Sequence, residues 1–137
     1  MSHLILRYEP DPDDEVGRLW FDVRTALFSG SSFFWSNLGE LPDLIEQIGR
    51  YPLDGKTNCR WEWGASGDAS LVAALDVMQV KVSGRLEARV RLADLNDVSQ
   101  CLAISFETEY VLLDAFRGEL KAMYDGRSGK ALLAGVG

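Results

Sequence analysis

Apolar and polar residues alternate over most of this chain, which is the two-residue period of a strand with one face buried. Leu4, Leu6 and Tyr8 alternate with Ile5 and Arg7 and predict a short first strand. From Leu19 to Phe28, Leu19, Phe21, Val23 and Leu27 share one face, while Trp20, Asp22, Arg24 and Ala26 share the other. Gly30-Ser31-Ser32 is expected to break that strand, and Phe33-Phe34-Trp35 to resume as a short one. Further on, Cys59, Trp61 and Trp63 alternate with Asn58, Arg60 and Glu62, and Leu71, Ala73, Leu75 and Val77 are in register within a strand from Ser70 to Val82. Leu86, Ala88, Val90 and Leu92 alternate with Arg85, Glu87, Arg89 and Arg91, and Leu102, Ile104 and Phe106 predict the last strand. The breaks are turn-forming: Leu53-Asp54-Gly55-Lys56, Gly64 to Gly67, a hairpin turn at Ser83-Gly84, and Asp94-Leu95-Asn96-Asp97.

Twice the period becomes helical. Leu41, Leu44, Ile45 and Ile48 predict a helix within Glu40 to Tyr51, with Pro42 in its first turn, Ser36 or Asn37 as cap and Pro52 as its end. Thr108 is the expected cap of a second helix from Glu109 to about Tyr124, with an apolar stripe of Leu112, Leu113, Phe116, Leu120 and Met123 and a stop at Gly126. The expected order is β-β-β-α-β-β-β-β-α: an α+β fold in which an antiparallel sheet of about six to seven strands is covered by two amphipathic helices. Residues 1–126 are read as one domain and residues 127–137 as a loosely ordered tail. Leu44, Ile48, Leu86, Val90, Leu102, Ile104, Phe106, Leu113 and Phe116 are the expected core.

Composition narrows the function. The 137 residues are 47% hydrophobic and 26% charged, ordinary values for a globular domain. No uncharged stretch is long and apolar enough for a transmembrane helix, so no membrane partner is expected. The net charge of −7 argues against nucleic acid, whose binding rests on basic neutralisation; its simpler reading is solubility alone, and among partners it favours a basic protein. The N-terminus lacks the apolar region of a secretion signal, so the expected location is cytoplasmic, and Cys59 and Cys101 read as reduced, partly buried thiols.

Candidate chemistry is sparse. His3 stands alone near the start, and no nucleophile elbow, phosphate-binding loop or metal-ligand spacing occurs, so no catalytic residue, cofactor or metal is expected. Asp11, Asp13, Asp14 and Glu15 form a solvated acidic loop without calcium-loop spacing. Arg85, Arg89 and Arg91 share a strand face that Arg24 or Arg60 is placed to join, an anion site or, more simply, a solvent face interrupted by Glu87. Trp20 points away from Leu19, Phe21 and Val23, so it lies either under a helix or at an interface.

Several segments in order carry a likeness: Phe28-Ser29-Gly30, Phe34-Trp35, the Leu41-Pro42-Asp43-Leu44-Ile45 helix, the tryptophan strand, Gly84 to Leu92, Ile104 to Tyr110, and the spacing of Leu113, Phe116 and Leu120. From Leu19 to Met123 this resembles the WapI-like bacterial immunity proteins, departing from their pattern before the last helix, at Glu109-Tyr110-Val111. The resemblance implies a cytosolic antidote that binds and neutralises a cognate toxin domain, with no catalytic residues to carry over. The leading expectation is therefore a non-catalytic binding protein. Its candidate interface is Asp11, Asp13, Asp14 and Glu15 in the loop, with Trp20 and Asp22 on the strand face. A ligand-binding or enzymatic domain with an apolar pocket, and a self-associating homo-oligomer subunit, stay open as alternatives.

Overall fold

Leu4, Leu6 and Tyr8 are buried and Leu19, Phe21 and Val23 are buried, and the two rows lie opposite one another in antiparallel register. The computed structural model describes residues 2–53, 58–64, 71–80 and 84–136. Its elements are β1 (His3–Glu9), β2 (Gly17–Arg24), β3 (Ser29–Ser36), α1 (Leu41–Ile48), β4 (Cys59–Gly64), β5 (Leu71–Gln79), β6 (Arg85–Ala93), β7 (Cys101–Glu109), α2 (Tyr110–Gly126) and β8 (Gly129–Ala134). The expected α+β class and antiparallel pairing hold, but the strands form two sheets of four, ordered β3-β2-β1-β8 and β4-β5-β6-β7. A two-residue period specifies which face is buried and says nothing about which strand lies alongside. The chain changes sheet after β3, across α1.

Both sheets turn an apolar face to one shared core. Phe34 of β3 stacks on Trp63 of β4 with ring centroids 3.6 Å apart, and Phe21 lies 5.7 Å from Trp61. The helices complete the core with Leu41, Leu44, Ile45 and Ile48 from α1 and Leu113, Phe116, Leu120 and Met123 from α2. Arg117 Nε of α2 donates to the Ile45 carbonyl of α1 at 2.9 Å, fastening the two helices together. Of the expected core, Leu102 and Ile104 are only half-buried, because they sit on edge strand β7.

Several boundaries differ from expectation. The expected loose tail of 127–137 is, over its described residues 127–136, ordered: Arg127 (φ 55°) and Gly129 (φ 100°) reverse the chain after α2, and Ala131 and Leu133 bury against the core as β8 pairs with β1. β7 is accordingly not the last strand. β2 ends at Arg24, and Leu27 lies on the hairpin tip, 86% exposed, instead of on the buried face. Gly30-Ser31-Ser32 does not break the sheet but runs within β3, where small residues extend as readily as large ones when a hairpin partner supplies the ladder. Ser36 does serve the approach to α1, its Oγ accepting the Leu38 N–H at 2.8 Å and donating to Glu40 at 2.6 Å, but the cap position itself is Glu40. Thr108 is not a cap either. It is buried in β7, donates to the Ala134 carbonyl at 2.7 Å, and leaves Glu109 as the residue before α2. The expected turn at Asp54-Gly55-Lys56, the loop from Ala65 to Gly67 and the hairpin residue Ser83 lie outside the described residues.

Gly17 opens β2 because nothing larger fits: a Cβ there would stand 2.5 Å from the Glu9 carbonyl oxygen and 2.9 Å from the Tyr8 ring. The Tyr8 hydroxyl accepts the Gly17 N–H at 2.9 Å and donates to the Ser36 carbonyl at 2.8 Å, bridging β2 and β3 from beneath.

Candidate functional site

Trp20 and Asp22 project from the outer face of the first sheet, as the alternation of β2 requires. The register there sets out three cross-strand rows: Leu132, Ile5, Asp22 and Ser31; Lys130, Arg7, Trp20 and Phe33; and Glu9, Arg18 and Trp35. Aromatics and arginines interleave. Arg7 lies 4.6 Å over the Trp20 ring, Trp20 is 4.7 Å from Phe33, and Arg18 lies 5.3 Å from Phe33 and 5.1 Å from Trp35. Asp22 is held by Arg7 Nε at 2.7 Å and accepts from Ser31 Oγ at 2.6 Å, so its charge is engaged within the face. Arg18 lies 3.7 Å from Glu9. Trp20 is half-buried, lying under Arg7 and against Phe33 rather than under a helix, and Trp35 is 46% exposed.

The acidic loop joins β1 to β2 at the Arg18–Trp35 end of this face. Asp11, Asp13, Asp14 and Glu15 are all exposed. Asp11 Oδ1 accepts the Asp13 N–H at 2.9 Å, and Asp14 Oδ1 accepts the Val16 N–H at 3.3 Å, so two of the four acids also shape the turn. The hairpin tip at the opposite end of β2 presents Leu27 and Phe28, the latter 63% exposed.

A cleft of about 340 Å³ runs beside β3, with Trp20 and Gly30 to Phe33 on one side and the β6–β7 connection on the other. Trp20 Nε1, on the outer face, and Ser32 Oγ, on the inner face, are buried without hydrogen-bond partners among the described residues. Asp94 lines the opposite wall. In the adjoining turn the Ser99 hydroxyl and then the Gln100 amide hold the Asp97 carboxyl below its ordinary range.

The arginine stripe is a solvent face laced with ion pairs. Arg85 lies 3.2 Å from Glu107 and 3.4 Å from Glu109, Arg89 pairs with Glu87, and Arg60 joins from β4 through Asp76 at 3.9 Å. Arg24 is on the other sheet and does not join. Both cysteines are free thiols. They lie on opposite edge strands of the second sheet, three strand spacings or about 14 Å apart laterally and offset by five residues along the strands, beyond the reach of a disulfide. Cys59 is buried, and burial, then the nearby Asp76 charge, pushes its thiol up to about 12, whereas Cys101 is exposed, against the expectation for it. Among the described residues no three His, Cys, Asp or Glu side chains gather to hold a metal, and no helix is long and apolar enough to cross a membrane.

The sequence places Trp20 and Asp22 together, and the reading above left out Arg7, Arg18, Phe33 and Trp35. The outward side of Arg7, Arg18, Phe33 and Trp35 is written in the alternation of β1, β2 and β3, the last once Gly30-Ser31-Ser32 is read as strand, but their meeting with Trp20 is set by strand register. Compared with protein-family models, with curated proteins and with solved structures, the chain matches none.

Proposed function

We propose that this chain is a non-catalytic binding protein that engages another polypeptide through the outer face of its first sheet, with the acidic loop as rim. The observation that carries the reading is the aromatic row itself: three large rings on a sheet face, with Trp35 46% exposed and Trp20 and Phe33 half-buried. Aromatic and arginine side chains supply the anchoring energy of protein interfaces, while rim charge sets encounter rate and specificity. The resemblance to WapI-like immunity proteins gives the partner class: a basic toxin domain that the chain neutralises in the cytoplasm.

The test is calorimetry and surface-binding kinetics of the purified chain against the product of the neighbouring gene, where that gene encodes a toxin-bearing protein. Trp20→Ala is expected to raise the dissociation rate and cost about 2 kcal/mol or more. Changing Asp11, Asp13 and Asp14 to Asn and Glu15 to Gln keeps the turn's acceptors, and is expected to slow association and flatten its salt dependence. A complex indifferent to both changes, or no complex, overturns the reading.

A further inference from the structure

The edge strands of the two sheets are not equally protected. On β4, the Arg60 N–H is taken by Gln47 Oε1 of α1 at 2.8 Å. On β7, the Glu107 carbonyl accepts the Val136 N–H at 2.9 Å, and on β8 the Leu132 N–H is taken by Glu119 Oε1 of α2 at 2.8 Å. β3 is different. The Thr25 N–H to Phe28 carbonyl bond of 2.8 Å marks a bonded pair at the hairpin end. Bonded pairs in an antiparallel ladder alternate, so Val23–Gly30, Phe21–Ser32 and Leu19–Phe34 are bonded, and Ser29, Ser31, Phe33 and Trp35 direct their N–H and C=O groups to the open side. Among the described residues nothing pairs with those groups.

The sequence of β3 fits an edge that is meant to be covered. Ser-Gly-Ser-Ser-Phe-Phe-Trp-Ser contains neither charge nor proline over eight residues, the devices by which exposed edges usually repel another strand. Gly30 to Phe33 also line the 340 Å³ cleft, across from the β6–β7 connection. Trp20 and Ser32, from opposite faces of the first sheet, both contribute to the lining of that cleft. A row of outward backbone donors and acceptors without partners is what a further extended backbone satisfies.

We infer that the open edge of β3 receives an extended segment of the partner polypeptide as a fifth strand of the first sheet, seated in the cleft, and that this segment is neutral to basic. The inference rests on the binding function proposed above and names how the partner is held. Charge selects the occupant. Asp94 stands in the cleft wall and Asp97 in the next turn, and a chain of net charge −7 repels a second copy of itself. Strand addition draws its affinity from main-chain bonds and its selectivity from alternate side chains.

The probe is a capped heptapeptide alternating valine with threonine and lysine, alongside the same peptide N-methylated at alternate amides and a third with glutamate for lysine. Hydrogen exchange by NMR is the readout on the full chain. In the free protein the amides of Ser31 and Phe33 are expected to exchange rapidly and those of Ser32 and Phe34 slowly. The lysine peptide is expected to slow Ser31 and Phe33 by about tenfold or more at saturation and to shift the Trp20 indole proton. The N-methylated peptide is expected to do neither, and the glutamate peptide to bind more weakly. Ser31→Pro, which removes an outward N–H without removing a ladder bond, is expected to abolish the protection, while Ser31→Ala retains it. Slow exchange at Ser31 and Phe33 in the free protein overturns the inference, with a dimer mass assigning the edge to a second copy. Equal protection by the N-methylated peptide overturns it as well. A toxin-like partner that binds Ser31→Pro normally, yet is weakened by Trp20→Ala, overturns the edge and leaves the binding function standing. Absence of that partner's binding removes the binding function while the peptide result still decides the edge.

Discussion

Phe34→Ala tests the junction on which the two sheets meet. Phe34 is completely buried, stacks on Trp63 at 3.6 Å, and lies 5.6 Å from Phe21 and 6.5 Å from Trp61. Truncation removes the transfer energy of a phenyl ring and leaves a cavity between two sheets that close only by moving together, so the cost falls in the range of about 3–5 kcal/mol for buried Phe→Ala. The aromatic pairings place it toward the upper end. Against a total stability of about 5–15 kcal/mol this is a large fraction. With a urea slope of about 2 kcal/mol/M, a loss of about 4 kcal/mol lowers the midpoint by about 2 M. Phe28→Ala is the internal control. It removes the same side chain six positions earlier, from the exposed hairpin tip, and is expected to change stability by less than about 0.5 kcal/mol. Urea unfolding followed by tryptophan fluorescence, with circular dichroism as a second probe, measures both. Fluorescence reads the site directly, since Trp61 and Trp63 flank Phe34. A Phe34→Ala cost below about 1.5 kcal/mol, or one equal to that of Phe28→Ala, refutes the reasoning that the sheets share one core through this ring.

Cys59 carries a pH dependence. Its folded pKa of about 12 stands above the ordinary thiol value of about 8.5, so its stabilisation is intact below about pH 8.5 and is lost at up to about 1.4 kcal/mol per pH unit as pH rises toward the folded value. Urea midpoints from pH 8 to 10 are expected to fall more steeply for the native chain than for Cys59→Ala. Thiol labelling of the folded protein is expected to modify Cys101 promptly and Cys59 only after unfolding, as read by peptide mass. Gly17→Ala is expected to destabilise by about 1–3 kcal/mol, because its Cβ would meet backbone at 2.5 Å, whereas Gly118→Ala, with open space around it on α2, is expected to be neutral or stabilising by thermal unfolding. Glu119→Ala is expected to speed exchange of the Leu132 amide, and Glu119→Gln, which keeps an acceptor, to leave it slow.

How much of this was legible depends on what kind of information each feature needs. Leu86, Ala88, Val90 and Leu92 announced β6 because the buried face of a central strand is written in one short segment. The Leu113, Phe116, Leu120 and Met123 stripe announced α2 for the same reason. Strand neighbours are long-range facts. Nothing local to Lys130-Ala131-Leu132-Leu133 says that β1, more than 120 residues earlier, offers Leu4 and Leu6 as its partners. The apolar alternation of that segment was present but short, and an ordinary terminal tail was the stronger prior. The division into two sheets was illegible for a related reason, since the same alternation serves one broad sheet or two facing ones.

The candidate site divides along the same line. Trp20 and Asp22 were legible as outward residues because alternation within β2 fixes their side of the sheet. Arg7 and Phe33 join them only through register, which depends on how the 10–16 and 25–28 connections close. The open edge of β3 combines both kinds of information. Its lack of charge and proline could be read directly from Ser29 to Ser36, and is unusual beside β7, which ends in Glu107 and Glu109, and β4, which carries Arg60 and Glu62. That composition acquires meaning only when the fold puts β3 at the end of a sheet. A central strand needs no charges because its neighbours shield it, whereas an edge strand that omits them either aggregates or has a partner. Here Gly30 to Phe33 of the strand also line an adjoining cleft, so the edge has room beside it. Sequence and placement thus point the same way at β3, toward the strand addition we propose there.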